Sequence, residues 1–145
     1  MLAPLVQSEV LLVCVPPDDV ADIWPRVEMF IRRALARGGL GTSLAKVQAD
    51  VLTGRALLWL VVGDTVPFSP MAAVITQLTD EGAGKVCTIV AFGGDGGRSL
   101  HLLAQIEAYA QAEGCERMRI EGRLGWQRKL RWPRSYMVME KPLRG

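Results

Sequence analysis

One stretch, residues 85–126, constrains this chain more than any other. It reads as an apolar strand (residues 85–91), a glycine-rich loop (residues 93–98, Gly-Gly-Asp-Gly-Gly-Arg), a helix (residues 99–113) and a second strand (residues 116–122). A strand–helix–strand unit predicts two parallel strands, because the helix returns the chain to the end of the sheet where it started. The glycines open directly into the helix, so free N–H groups and the positive helix end meet at one place. Such an arrangement is typical of a phosphate site.

The length and composition predict one soluble globular domain. The chain has 145 residues, half of them hydrophobic, which is enough for one sizeable core and too little for two domains. No apolar run approaches the roughly 20 residues of a membrane span. Residues 1–9 lack a basic start followed by a long apolar segment, so a secretory signal is not expected. We therefore expect a cytoplasmic protein.

Cysteine and histidine usage argues against a disulfide framework and against a metal site. Cys14, Cys87 and Cys115 are odd in number and far apart, so we expect three buried free thiols. His101 is the only histidine, and its place in the first turn of the predicted helix indicates a surface or packing residue. With a single histidine, we expect neither a zinc site nor a Cys/His nucleophile pair, and no metal is predicted.

The remaining elements predict an α/β (α+β) domain whose mixed sheet has six to seven strands and is packed by about four helices. A strand (residues 9–15) precedes a helix that starts at Asp18 or Asp19, and a second helix starts at Thr42 or Ser43. Three strands joined by short polar turns then predict an antiparallel meander. These are residues 56–62, 71–78 and 85–91, followed later by a short helix (residues 125–130) and a closing strand (residues 136–143).

The C-terminal quarter of the chain is basic, although the net charge is only +2. Such a surface can meet phosphate, nucleic acid or an acidic partner, or it can be a solvated face balanced by acids elsewhere. Trp126 and Trp132 flank the most basic segment, and we interpret them as anchors of a short helix rather than as a nucleic-acid surface. The cations concerned are Arg117, Arg119, Arg123, Arg128, Lys129, Arg131, Arg134, Lys141 and Arg144.

The order of strand, two helices, three-strand meander, glycine turn, helix, strand, short helix and strand resembles the GCN5-related N-acetyltransferase (GNAT) superfamily over nearly the whole chain. Residues 98–126, with Glu-Ala-Tyr-Ala before Gly114-Cys115 and then Gly-Arg-Leu-Gly-Trp, also resemble small GNAT-like proteins of phages and prophages. The resemblance implies that acetyl-CoA binds as co-substrate, with its diphosphate on the loop after the fourth strand. It also implies that the fourth and fifth strands splay to admit the pantetheine arm.

The resemblance assigns site residues one by one. Tyr136 takes the place of an acid for the departing thiolate, with a half-buried strand tyrosine as the other interpretation. Glu121 is the candidate base, unless it pairs with Arg119 or Arg123 instead. Ala91 stands where the family has Arg or Gln, and Asp95 brings an unfavourable charge toward a diphosphate. The predicted cofactor-binding residues are Gly93, Gly94, Gly96, Gly97 and Arg98.

Two functions remain open at this level. The first is transfer of an acyl group from acetyl-CoA to the amine of an unknown small molecule or protein. The second is a non-catalytic role as an interaction protein or a phage virion-associated protein. An open strand edge at residues 136–143 would allow a homo-oligomer. No membrane partner is expected, and nucleic acid is not the preferred partner.

Overall fold

The computed structural model describes residues 10–38, 42–63, 69–94, 100–121, 134–135 and 138–143. Within this part of the chain, no helix is both long and apolar enough to span a membrane. The elements in chain order are β1 (Val10–Val15), α1 (Pro17–Gly38), α2 (Leu44–Leu52), β2 (Leu57–Gly63), β3 (Pro70–Asp80), β4 (Lys85–Gly94), a 3-10 turn (Leu100–Leu102), α3 (Leu103–Ala112), β5 (Arg117–Glu121), β6 (Arg134–Ser135) and β7 (Val138–Pro142).

The strands form one mixed sheet in the order β1-β2-β3-β4-β5-β7-β6. Neighbouring strands from β1 to β4 are antiparallel, β4 and β5 are parallel, and β7 is antiparallel to both β5 and β6. The predicted mixed sheet, its meander and its single parallel pair are therefore confirmed. Among the described strands, the short β6 pairs with Val138 and Met139 of β7 and leaves residues 140–142 without a neighbour on that side, so the open edge predicted at residues 136–143 is covered only in part. Its use in a homo-oligomer stays a prediction.

Helices cover both faces of the sheet, so each face has its own core. On one face α3 buries Ile106 and Ala110 against Met118 and Ile120 of β5. On the other face α1 and α2 bury apolar side chains against β2, β3 and β4. The α1 residues Val20, Trp24, Val27 and Ile31 recur at three- and four-residue spacing, so burying that stripe fixes the helix on the sheet.

The helix boundaries follow local chemistry in α2 and depart from the prediction in α3. Ser43 caps α2 as expected: its side chain accepts a hydrogen bond from the backbone N–H of Lys46 at 3.1 Å. The helix predicted from Ser99 begins as a 3-10 turn, and regular α-helix starts only at Leu103. The described residues hold three α-helices, and the fourth one predicted, at residues 125–130, lies outside them.

The cysteines are free thiols, as predicted, but not all of them are buried. Cys87 and Cys115 lie in the core under α3, where burial raises the pKa of the Cys87 thiol to about 12. Cys14 is exposed, which corrects the prediction, because it lies on the outer strand β1. Within the described residues, no group of three or more His, Cys, Asp or Glu side chains is placed to hold a metal ion.

An ion pair ties the turn between β3 and β4 to β5. Glu81, in that turn, accepts hydrogen bonds from both terminal nitrogens of Arg119, at 2.5 and 2.7 Å. Arg117 also lies within 3.9 Å of the same carboxylate. The hydrogen bonds and positive charge of Arg119 lower the pKa of Glu81. Arg119, which was considered as a partner for Glu121, thus pairs with Glu81 in this turn.

We expect Glu81→Gln to lower stability near neutral pH by about 1 kcal/mol, the scale of a solvent-accessible bidentate pair. Because the folded-state pKa of Glu81 lies below its unfolded value, the pair stabilises the fold above the unfolded pKa. That stabilisation is lost as the pH falls through the folded pKa. Urea unfolding of both proteins at about pH 7 and at about pH 3 tests this. An equal difference at both values would contradict it.

Candidate functional site at the divergence of β4 and β5

The two parallel strands in the middle of the sheet pair over only part of their length. The register runs from Val86 beside Arg117 to Ile89 beside Ile120. Beyond Ile89, β4 continues for five residues to Gly94, and among the described strands only β3 pairs with this extension. On the other side β5 ends one residue after Ile120. Residue 121 is also the last described residue of this segment, so the described pairing of the two strands ends at Ile89, and the position beyond it, between their carboxyl ends, is called the gap below.

A β-bulge lies at the residue where the gap begins. In the pairing of β3 with β4, Thr76 lies opposite Ile89 and Ile75 lies opposite Ala91, so Val90 is an extra residue without a β3 partner. A bulge bends its strand and increases the local twist. The bulge lies directly after the last described pair with β5. Nothing in the apolar run around Val90 distinguishes this residue in the sequence.

The first two glycines of the predicted loop are strand residues, and the packing of neighbouring backbone explains why each is a glycine. Gly93 and Gly94 close β4 and pair with Ala73 and Ala72 of β3, so the loop begins later than predicted. A Cβ at Gly93 would overlap the backbone carbonyl of Phe30 in α1. Gly94 has φ +107°, and a Cβ there would overlap backbone atoms of β3. Both glycines thus allow the close approach of neighbouring backbone.

The other predicted site residues are only partly placed. Glu121 is the last residue of β5 and pairs with Val138, so its backbone lies at the mouth of the gap. Ala91 is buried on the face covered by α1 and α2. His101 is exposed, as predicted. Gly96, Gly97, Arg98 and Tyr136 lie outside the described residues, and their assignments stay predictions.

Helix α3 packs on the face of the sheet opposite α1, and the 3-10 turn Leu100–Leu102 leads into it without a break. Its N-cap residue is Leu102, no side chain caps the helix, and its first turn contains no acidic residue. The first N–H groups of an α-helix have no partner within the helix. With the positive end of the helix dipole, they favour an anion at this position.

Tyr109, the other tyrosine of the sequence, is not placed to take the acid role predicted for Tyr136. Its ring packs edge-on against Trp59 of β2, with ring centroids 5.1 Å apart, and Trp59 in turn donates a hydrogen bond to Thr76 at 2.9 Å. Tyr109 therefore lies over β2 rather than at the gap between β4 and β5. Burial raises its pKa to about 12, so the phenol stays protonated at neutral pH. Its role in this fold is structural.

Solved structures provide the comparison that sequence matching does not. No protein-family model matches the chain, and no curated protein matches it. A GCN5-related N-acetyltransferase from Ralstonia eutropha JMP134 is 16% identical, with a TM-score of 0.60 over 94% of this chain and 100% of that one. The ribosomal-protein-S18-alanine N-acetyltransferase from Escherichia coli is 15% identical, with a TM-score of 0.64 over 93% and 94%. This chain has the GNAT fold.

A third similar structure shares this GNAT fold. It is a predicted acetyltransferase with acetyl-CoA from Clostridium acetobutylicum, 9% identical, with a TM-score of 0.62 over 88% of this chain and 92% of that one. Identities this low establish the likeness of fold, and the GNAT fold expected from the order of elements is confirmed. The narrower resemblance to phage and prophage proteins stays a prediction.

Proposed function

We propose that this protein transfers an acyl group from an acyl-CoA, with acetyl-CoA as the candidate donor, to an amine. The observation that carries the proposal is the gap between β4 and β5, which opens at the Val90 bulge. The extension of β4 from Val90 to Gly94 is an extended backbone with no β5 residue beside it. The pantetheine arm carries two amide groups, and an amide chain suits such a strand edge in the way an added strand does.

The anionic part of CoA would lie beyond the end of β4. The helical segment formed by the 3-10 turn and α3 begins there, and the positive end of its dipole suits a diphosphate. Gly96 and Gly97 would let the backbone approach the phosphates closely, and Arg98 would offset the charge of Asp95. These residues therefore suit the donor, although Ala91 departs from the family pattern.

The chemistry needs positioning and two proton transfers. An amine held at the gap attacks the thioester carbonyl; the C–N bond forms and the C–S bond breaks. We assign Glu121 the role of accepting the proton that the attacking nitrogen loses, directly or through a water. Tyr136 is assigned the role of donating a proton to the departing sulfur. Removal of either side chain should then lower kcat while leaving the affinity for acetyl-CoA in place.

Two neighbours support this reading of the fold. The Clostridium acetobutylicum structure contains acetyl-CoA, and the Escherichia coli enzyme is named for acetylation of an alanine of a ribosomal protein. The first of these proteins is described as a predicted acetyltransferase, and the second is named as an N-acetyltransferase. The fold does not identify the acceptor of this chain, because proteins of one fold act on many different substrates.

Calorimetric titration of the purified protein with acetyl-CoA, CoA and pantetheine tests the proposal. We expect saturable binding of the first two and weaker binding of pantetheine, which lacks the diphosphate. Arg98→Glu should weaken CoA binding about tenfold and leave pantetheine binding unchanged. Arg55→Glu is the matched control, since Arg55 is an exposed arginine before β2, at the opposite end of the sheet from the β4 extension.

Absence of acetyl-CoA binding at millimolar concentration, in protein shown to be folded, would overturn the acyltransferase proposal. The remaining candidate would then be a GNAT-fold interaction protein, including a virion-associated one. Equal affinities for CoA and pantetheine would contradict the placement of the diphosphate at the start of α3.

A further inference from the structure

The outer strand β1 has the composition of a strand from the middle of a sheet. Its six residues, Val10–Val15, read Val-Leu-Leu-Val-Cys-Val. Continuous apolar runs of this kind are typical of strands that are covered on both faces. Only Val15 is buried, however, and the other five side chains stay partly or largely exposed. Of the four large hydrophobic side chains that are exposed within the described residues, two lie on this strand: Leu11 at 52% and Val13 at 42%.

The free side of β1 also offers unpaired backbone groups. Among the described strands, only β2 pairs with β1, and the register runs from Val10 beside Gly63 to Val15 beside Leu58 without a bulge. In an antiparallel pair, the N–H and C=O groups of alternate residues point away from the partner strand. Along β1 these groups form a regular row at the edge of the sheet, to which a further strand can be added.

The opposite edge of the sheet has the protection that β1 lacks. Soluble proteins protect their edge strands by short length, charged residues, proline or bulges. Strand β6 is two residues long and includes Arg134, and the part of β7 that β6 leaves without a neighbour reads Glu140-Lys141-Pro142. Strand β1 has six residues, and none of these features occurs within them. This contrast favours a partner at β1 over one at β7.

The chemistry of β1 favours a second copy of this chain as that partner. A foreign strand is recognised through side chains at alternate positions, and β1 has no charged side chain with which to distinguish one strand from another. Self-pairing needs no such distinction, because a twofold axis perpendicular to the sheet brings two identical apolar edges together in antiparallel orientation. It also closes the assembly, since each copy has one β1 edge.

We propose that two copies of this chain dimerise through β1, so that their two sheets join into one. Directly opposed residues of an antiparallel pair lie on the same face. The twofold axis therefore passes beside a residue, and the longest overlaps place it at Leu12 or at Val13. Either register brings Val13 of one copy against Leu11 or Val13 of the other, on the face where Val15 is buried. The inference does not depend on the proposed acyltransferase function.

Sedimentation velocity over a concentration series tests the dimer. Two six-residue strands bury less than the roughly 1,200 Å² of a standard interface, so we expect a reversible dimer with a Kd on the order of 10 µM. Val13→Lys should raise this Kd at least about thirtyfold, because like charges would face each other near the axis. Leu11→Lys also changes an exposed side chain of β1 and should raise the Kd as well.

Met29→Lys is the matched control. Met29 is 50% exposed and lies on α1, so its substitution removes an exposed apolar side chain and adds the same charge away from the edge. We expect it to keep the wild-type Kd, and thermal unfolding establishes that all variants are folded. Wild-type protein that stays monomeric up to about 500 µM would overturn the inference. Equal Kd values for Val13→Lys and Met29→Lys would overturn it too, as would growth beyond the dimer, because twofold pairing closes.

Hydrogen exchange identifies the edge at which the dimer forms. Alternate backbone amides of β1 should exchange more slowly in wild-type protein than in Val13→Lys at the same high concentration, because the second copy accepts their hydrogen bonds. A wild-type dimer in which these amides gain no protection would contradict pairing through β1. Equal protection in both proteins would also overturn the inference, by assigning the edge to another segment of the same chain.

Discussion

Deletion of Val90 is expected to leave the protein folded and to lower its affinity for acetyl-CoA by at least about tenfold. Val90 is the extra residue of the bulge, so its removal keeps every pair between β3 and β4, including Ile75 with Ala91 and Thr76 with Ile89. A regular strand would replace the bent one. The carboxyl end of β4 would then have no local cause to turn away from β5, and the gap would narrow.

The matched control is Val90→Ala, which shortens the side chain and keeps the bulge. It should bind acetyl-CoA nearly as well as the wild type, measured by the same calorimetric titration. Circular dichroism and thermal unfolding establish that both variants are folded. If the deletion variant bound acetyl-CoA with wild-type affinity, the bulge would not be needed for the binding site. If the deletion variant were unfolded, the expectation that the pairing of β3 with β4 survives would be contradicted.

Substitution of Gly93 by alanine is expected to be strongly destabilising, by about 3 kcal/mol, the upper range for overpacking a tightly packed site. The added Cβ would overlap the carbonyl oxygen of Phe30, and the obstacle is helix backbone that cannot rotate away. Helix α1 would have to lift from β4, with loss of contacts in the core that α1 and α2 form with the sheet. For a chain of this length the expected fall in Tm is about 10 °C.

Gly63→Ala is the control for this effect. Gly63 also ends a strand, and the nearest atom to its built Cβ is the sulfur of Met71 at 3.7 Å, an ordinary contact. Neither Gly63 nor Gly93 has a positive φ, so the pair differs in packing and not in backbone strain. We expect Gly63→Ala to match the wild type or to exceed it slightly, because alanine restricts the unfolded chain. Equal Tm values for the two variants would contradict the close approach of α1.

Much of the fold was predictable because its signals are local. Ser43 caps α2 by accepting a hydrogen bond from the backbone N–H of Lys46, only three residues later. The stripe of Val20, Trp24, Val27 and Ile31 identifies the buried face of α1. The strand boundaries were less accurate. The glycines at 93 and 94 were assigned to a loop because glycine usually ends a strand, whereas here they continue β4 so that other backbone can approach.

The candidate site was less predictable, since the role of each of its residues depends on contacts with residues far away in the sequence. Gly93 was taken for a phosphate ligand, and the structure gives it a packing role against Phe30, a residue more than sixty positions earlier. Val90 carried no signal at all within its apolar run.

The sequence by itself determined the order of elements, the meander and the parallel pair of β4 and β5. These follow from periodicity, turn residues and the handedness of crossovers, all of which act within a few residues or one supersecondary unit. Only the tertiary structure decided where β4 carries its bulge and which backbone covers Gly93. Each of these depends on contacts between segments far apart in the chain, so no local pattern encodes them.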